Sequence, residues 1–163
     1  MAITIVKADL NNPDHCAAIP AMINAYASDP MGGGAPLDPA RLADIVPGLR
    51  KHPASLVFLA FNEAGPVGIA NCFIGFSTFA AQPLVNIHDL AVLERHRGQG
   101  IGLDLLRAIE VEARNMGCCK LTLEVRDDNT RASAIYRQFG FDDFTTGADT
   151  VPTFFLEKKL AAQ

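Results

Sequence analysis

Two hydrophobic periods alternate along this chain. Ile3 to Ala8 is a short apolar run that reads as a first strand. Asn12 then precedes Pro13, and Ile19, Met22, Ile23 and Tyr26 recur at helical spacing. This predicts a helix capped at Asn12, started by proline and stopped near Ala27. Residues 27–36, ASDPMGGGAP, hold too much glycine and proline for a regular element, so a mobile loop is expected there. Asp38 and Pro39 restart a helix carrying Leu42, Ile45 and Val46. Ser55 to Phe61 and Pro66 to Phe76 are strand-like apolar runs, and Asn62, Glu63, Ala64 and Gly65 between them give a hairpin signal. Leu84 to Val92 is the next strand.

After a glycine-rich segment, Leu105, Ile109 and Ala113 line one face of a helix, with Asp104, Arg107, Glu110 and Arg114 largely outside it and Gly117 at its end. Lys120 to Val125 predicts another strand. Asn129 or Thr130 caps a short helix in which Ala132, Ile135, Tyr136 and Phe139 repeat at i, i+3, i+4 and i+7, closed by Gly140. Phe141 to Thr145 and Thr153 to Leu160 read as two final strands. About seven strands and four helices predict an α+β fold in three α/β/α layers around a mixed, mostly antiparallel sheet, with residues 1–163 as a single domain.

Composition narrows this picture only by exclusion. Apolar residues make up 49% and charged residues 20%, which rules against disordered or fibrous classes. The opening MAITIVKADLNNPDH has too few apolar residues for a secretory or membrane segment, so a cytoplasmic location without membrane contact is expected. The net charge of -4 gives no basic footprint for nucleic acid, while an acidic surface tolerates cationic substrates. Cys16, Cys72, Cys118 and Cys119 form no CxxC pair and are expected as buried free thiols. A zinc site from Cys118, Cys119 and a remote histidine lacks the paired short spacing that structural zinc prefers, so no metal is expected.

The candidate chemistry lies in Val92 to Leu106, VLERHRGQGIGLDLL, where a strand runs into Gly98, Gln99, Gly100, Ile101 and Gly102 and then directly into a helix. Glycines allow close backbone approach, first-turn N–H groups lack intrahelical partners, and the helix dipole favours negative charge, so a pyrophosphate fits. A nucleoside-triphosphate loop requires Gly-Lys-Ser/Thr, but Leu103 follows Gly102. A dinucleotide fingerprint fails at its third glycine, and the chain offers one βαβ unit where that fold wants several, although Glu124 imitates its ribose-binding acid.

The remaining pattern, Q/R-x-x-G-x-G/A, is met by Arg97, Gly100 and Gly102. With HDLAV at 88–92 and EVRDDNTRASAIYRQFGF at 124–141, the segment Asn86 to Phe141 resembles the GCN5-related N-acetyltransferases. The resemblance implies acetyl-CoA as co-substrate and transfer of its acetyl group to a primary amine by direct attack. Leu90, Ala91 and Val92 then match the splayed strand that grips the pantetheine arm and thioester, and Arg97, Gly98, Gln99, Gly100, Ile101 and Gly102 match the pyrophosphate cradle. Asn129 matches a cofactor contact, and it also suits a helix cap. Tyr136 matches the general acid toward the departing thiolate, against a reading as a core aromatic beside Ile135 and Phe139.

An alkyl ammonium near pKa ~10.4 must lose a proton before it attacks. Glu124 resembles the strand-end glutamate of members that acetylate protein N-termini, whereas His88 and Asp89 stand where polyamine-acetylating members carry an acidic pair. GFSTF at 75–79 is similar to that second branch. On a regular strand His88 and Asp89 face opposite sides, so only one lines the pocket unless a bulge intervenes, and imidazole is the residue type that titrates nearest neutrality. A water chain is the third option. The expected acceptor is a small amine or polyamine, and the resemblance allows for a homodimer. The alternatives are acylation of a protein N-terminus or lysine, and a catalytically silent acyl-CoA-binding module.

Overall fold

Local capping chemistry sets the first helix. The Asn12 Oδ1 accepts the Asp14 and His15 N–H groups, Pro13 follows, and α1 (Pro13–Ser28) runs to an Asp29 cap; a computed structural model describes residues 2–143 and 154–160. Before α1 lies β1 (Thr4–Lys7), and Asp38 caps α2 (Pro39–Lys51) through the Ala40 N–H. Then come β2 (Ser55–Asn62), β3 (Gly65–Ser77) and β4 (Gln82–Val92), followed by a short 3₁₀ turn at Glu94–His96 and α3 (Ile101–Asn115). The short β5 (Leu121–Leu123) and α4 (Thr130–Phe139) complete the described elements.

The strands form one sheet in the order β1-β2-β3-β4-β5. All neighbours are antiparallel except β4 and β5. Leu56, Phe58 and Ala60 of β2 pack with Leu105, Leu106, Ile109 and Ala113 of α3 on one face. Val57 and Leu59 alternate with them and meet Ala18, Ile19, Met22 and Val46 of α1 and α2 on the other. Because both faces are covered, β2 reads as a continuous apolar run instead of an alternating one. Gly68 marks a close approach of α3 to the sheet: a Cβ there would lie 3.2 Å from Leu105 Cδ1 and 3.3 Å from the Ala91 carbonyl oxygen.

The α+β class and three layers follow the sequence, but the strand count does not. Five strands are present among the described residues, not about seven. Phe141 to Asp143 is irregular, with Phe141 packed on Tyr136 and Phe139, and Thr145 and Thr153 lie outside the described residues. Phe154 to Leu160 has no strand, and its Phe154, Phe155, Leu156 and Leu160 are exposed. An apolar alternation becomes a strand only when another strand takes its hydrogen bonds, and among the described residues none does so for this segment. The 27–36 segment carries local hydrogen bonds of its own. The Asp29 carbonyl accepts the N–H groups of Gly32, Gly33 and Gly34, folding the loop back on α1.

Leu105 is fully buried where α3 crosses the sheet. Leu105→Ala is expected to cost about 2–5 kcal/mol of stability and to lower Tm by roughly 10 °C in thermal unfolding, by the joint loss of transfer energy and creation of a cavity.

Candidate active site

The site begins where strand pairing stops. β4 pairs with β5 at Val85, Asn86 and Ile87 and no further, whereas its other edge stays paired to β3 as far as Val92. The Leu93 N–H bonds the Val67 carbonyl on the β3 side. Since backbone groups alternate between the two edges, those of Leu90 and Val92 point the other way, into the opening. Arg97 Nε, donating to the Val92 carbonyl at 3.0 Å from that side, agrees with this direction.

Past the opening, the chain turns into α3 through Gly98 (φ 76°) and Gly100 (φ 84°), left-handed conformations that an L side chain adopts only under strain. A Cβ on Gly98, Gly100 or Gly102 would meet nothing within 4 Å, so the glycines keep open space in front of the backbone. Gly100 is the N-cap, its carbonyl takes the Asp104 N–H, and the N–H groups of Ile101, Gly102 and Leu103 have no intrahelical acceptor. An array of unpaired donors at a positive dipole end facing empty space fits the pyrophosphate of acetyl-CoA.

A cavity of about 520 Å³ connects these parts. Leu90, Ala91, Val92, Arg97, Gly98, Gly100, Ile101, Gly102, Asn129 and Tyr136 line it, so most of the sequence candidates converge; Gln99, His88 and Glu124 are not among its lining. Asn129 caps α4, its Oδ1 accepting the Ala132 N–H at 3.2 Å. The cavity thus meets the N-termini of both α3 and α4, with Arg131 beside the second.

Tyr136 is only 9% exposed and stands edge-on to Phe141 at 5.8 Å. Burial, with a smaller contribution from Tyr26, pushes its phenol up to about 12. The hydroxyl therefore stays protonated at physiological pH. Full transfer to a thiolate whose conjugate acid lies near ~8.5 is uphill by several kcal/mol, so a hydrogen bond to a developing thiolate is what this group supplies most readily.

Tyr26 lines the same cavity, a role its place on the apolar face of α1 concealed. Its pKa is raised by burial and by the charges of Asp89 and Asp29. The sequence signal was a tyrosine in the last turn before a glycine-rich loop.

At the other end of the opening, Asn71 faces Asp89 and Cys72 faces Ile87, leaving His88 as the extra residue of a β-bulge. The bulge removes the expected opposition of His88 and Asp89. Asp89 Oδ2 accepts from Asn71 Nδ2 at 3.1 Å, and the exposed His88 ring stands edge-on to Phe73 at 5.7 Å. Asn71 and Phe73 lie two apart on β3 and so share a face, which places His88 and Asp89 on that face as well. Asn71 is 3% exposed and its Oδ1 is unpartnered, a cost of about 1–3 kcal/mol for a buried acceptor. Glu124 is exposed just past the end of β5.

Known proteins resemble this chain in sequence and fold. The acetyltransferase (GNAT) family model matches residues 19–141. A thialysine N-epsilon-acetyltransferase of Mus musculus is 31% identical over 104 residues, 64% of this chain and 55% of its own length. The chain therefore spans about half the length of that relative. An uncharacterized N-acetyltransferase of Bacillus subtilis is 29% identical over 135 residues, covering 79% of this chain and 85% of its own. A solved structure of a probable acetyltransferase superposes with a TM-score of 0.77 at 20% identity, over 92% of this chain and 97% of the other, and so shares the fold. With the glycine cradle, the interrupted β4–β5 ladder and a family match over most of its length, this chain belongs to the acetyltransferase (GNAT) family.

Proposed function

We propose that this protein transfers an acetyl group from acetyl-CoA to the primary amine of a small molecule by direct attack. The observation that carries the reading is the open edge of β4 leading straight into the Gly98 to Gly102 cradle, with Tyr136 on the wall of the same cavity. Acetyl-CoA supplies an activated acetyl thioester. The unpaired N–H groups of Gly98 to Gly102 take the pyrophosphate, and the Asn129 carboxamide remains close to the chain that follows it. The Leu90 N–H, pointing into the opening, donates to the thioester carbonyl oxygen where negative charge develops. The Tyr136 hydroxyl donates to the leaving sulfur.

The acceptor enters over the face that carries His88, Asp89 and Phe73. His88 is assigned as the base, since it shares that face with Asp89 two residues before Leu90; neither it nor Glu124 lines the cavity, and Glu124 lies past the end of β5. Asp89, held by Asn71, presents a carboxylate to a cationic acceptor. The thialysine enzyme, whose name describes acetylation of a side-chain amine, supports a small primary amine as the acceptor class. Four free cysteines suit a reducing cytoplasm, and a homodimer is carried as the assembly to be measured by light scattering.

Thiol release from acetyl-CoA with a panel of diamines, amino acids and N-terminal peptides tests the reading. Small amines are expected to exceed peptides in kcat/KM by about tenfold, a 1.4 kcal/mol preference. Peptides winning by that margin, with diamines inert, would replace it with protein acylation, and no release with any acceptor would leave a binding module.

Tyr136→Phe is expected to lower kcat by about 10²-fold with acetyl-CoA affinity nearly unchanged, because the ring stays and only the proton donor goes. Wild-type turnover by this variant would return Tyr136 to a purely packing role.

For the base, His88→Gln and Glu124→Gln are compared from pH 6 to 9 on one acceptor. His88→Gln is expected to lose about tenfold or more in kcat/KM and to change the acidic limb, and Glu124→Gln to do neither. An acidic limb untouched by both variants would assign deprotonation to water.

A further inference from the structure

The Arg97 side chain points away from the role that its motif position suggests. Its Nε donates to the Val92 carbonyl at 3.0 Å, its Nη2 to Asp29 Oδ2 at 2.5 Å, and its own backbone N–H goes to the Glu94 carbonyl. Two of its five guanidinium N–H donors are therefore committed within the protein. Asp29 in turn organises the loop after α1. Its carbonyl takes the N–H groups of Gly32, Gly33 and Gly34, its Oδ1 takes the Met31 N–H at 2.9 Å, and its N–H returns to Tyr26. The fit is tight, since a Cβ on Gly32 would fall 1.9 Å from the Tyr26 carbonyl oxygen. The pair is sheltered, with side-chain exposures of 31% for Arg97 and 15% for Asp29.

This ion pair lies between two cavities. Both the 520 Å³ cavity and a neighbouring one of about 290 Å³ are lined by Tyr26, Asp29, Val92 and Arg97. Among the described residues, Asp29–Arg97 is the one side-chain hydrogen bond joining the 29–37 loop to the strand end and cradle. Its three anchor points are the loop, the last residue of the open β4 edge and the first residue of the cradle.

We propose that Asp29 is a positioning residue, which through Arg97 locks the 29–34 loop onto the open end of β4 and so shapes the acceptor side of the cavity. The inference rests on the acetyl-transfer reading, because it needs an acceptor on the loop side and acetyl-CoA on the cradle side. A partly buried, charge-assisted bond is strong enough to hold a short loop in one arrangement. Loss of the carboxylate charge frees the loop while leaving the cradle's N–H groups in place. Acceptor binding then suffers and cofactor binding does not, which separates a brace from a phosphate ligand. Arg97 holds the Asp29 carboxyl below its usual range, so the lock is set throughout neutral pH.

The test is a double-mutant cycle of Asp29→Asn, Arg97→Gln and the pair together, with Asp29→Glu as the conservative variant. Acceptor KM and kcat come from thiol release, acetyl-CoA Kd from calorimetry, and loop protection from amide exchange at residues 31–34. Asp29→Asn is expected to raise acceptor KM about tenfold with acetyl-CoA Kd within about threefold, the double variant to be no worse than the poorer single one, and Asp29→Glu to recover most of the loss. Exchange at residues 31–34 should quicken in Arg97→Gln, although Arg97 lies 68 residues beyond Asp29 in sequence. An acceptor KM unchanged in Asp29→Asn, a parallel loss of acetyl-CoA affinity, or independent multiplying effects in the double variant each overturns the proposal. If wild type turns over and these hold, only the brace fails; if wild-type protein gives no heat with acetyl-CoA, the functional reading falls and the brace with it.

Discussion

The site depends on one interrupted ladder. A buried strand normally gives its backbone groups to two neighbours, yet β4 loses β5 after Ile87 while β3 holds it to Val92. Its outward N–H and C=O groups from Leu90 onward are left for something other than a strand. Inside a hydrophobic core this would be destabilising. At the rim of a cavity it is a row of oriented donors and acceptors, fixed by the strand on the opposite side. Arg97 takes one acceptor, the Val92 carbonyl, and the remaining groups face the space that leads to the cradle.

The bulge at His88 lies immediately beyond the last β4–β5 pair. An extra residue there strengthens the local twist and puts consecutive polar side chains on one face. Asn71 holds Asp89 in that arrangement at the expense of a buried, unpartnered Oδ1. A residue retained against its own burial cost is better explained by the orientation of its neighbour than by packing. The rest of the sheet carries that cost easily, with Leu59, Ile69, Leu105, Leu106 and Ile109 fully buried on its two sides.

Helix ends set the electrostatics of one side of the cavity. The N-termini of α3 and α4, with Arg131, make the cradle end attractive to anions, although the protein as a whole carries a net charge of -4. Asp89 and Asp29 both raise the pKa of Tyr26, Asp29 from its ion pair with Arg97 at the start of the cradle. Tyr136, neutral and buried, lies on the wall of the same cavity. The attraction of anions to the cradle needs no large net charge, only helix ends and a nearby arginine.

The sequence by itself determined the helices, their caps and the cradle. Asn12, Asp38 and Asn129 cap as read, Gly98 and Gly100 adopt the left-handed turns their motif requires, and periodicity located α3 and α4 within a residue or two. These are local matters, in which a side chain acts on backbone three or four residues away. The strand count, the bulge at His88, the cavity role of Tyr26 and the Arg97–Asp29 bond were not legible. Each depends on a partner distant along the chain: a strand exists only if a neighbour accepts its hydrogen bonds, a bulge only against an opposing register, and an ion pair only when folding brings loop and cradle together. Sequence spacing specifies what a segment can do; which edge, face or charge it meets was decided by the tertiary structure, because that choice is made by contacts whose energy no single segment contains.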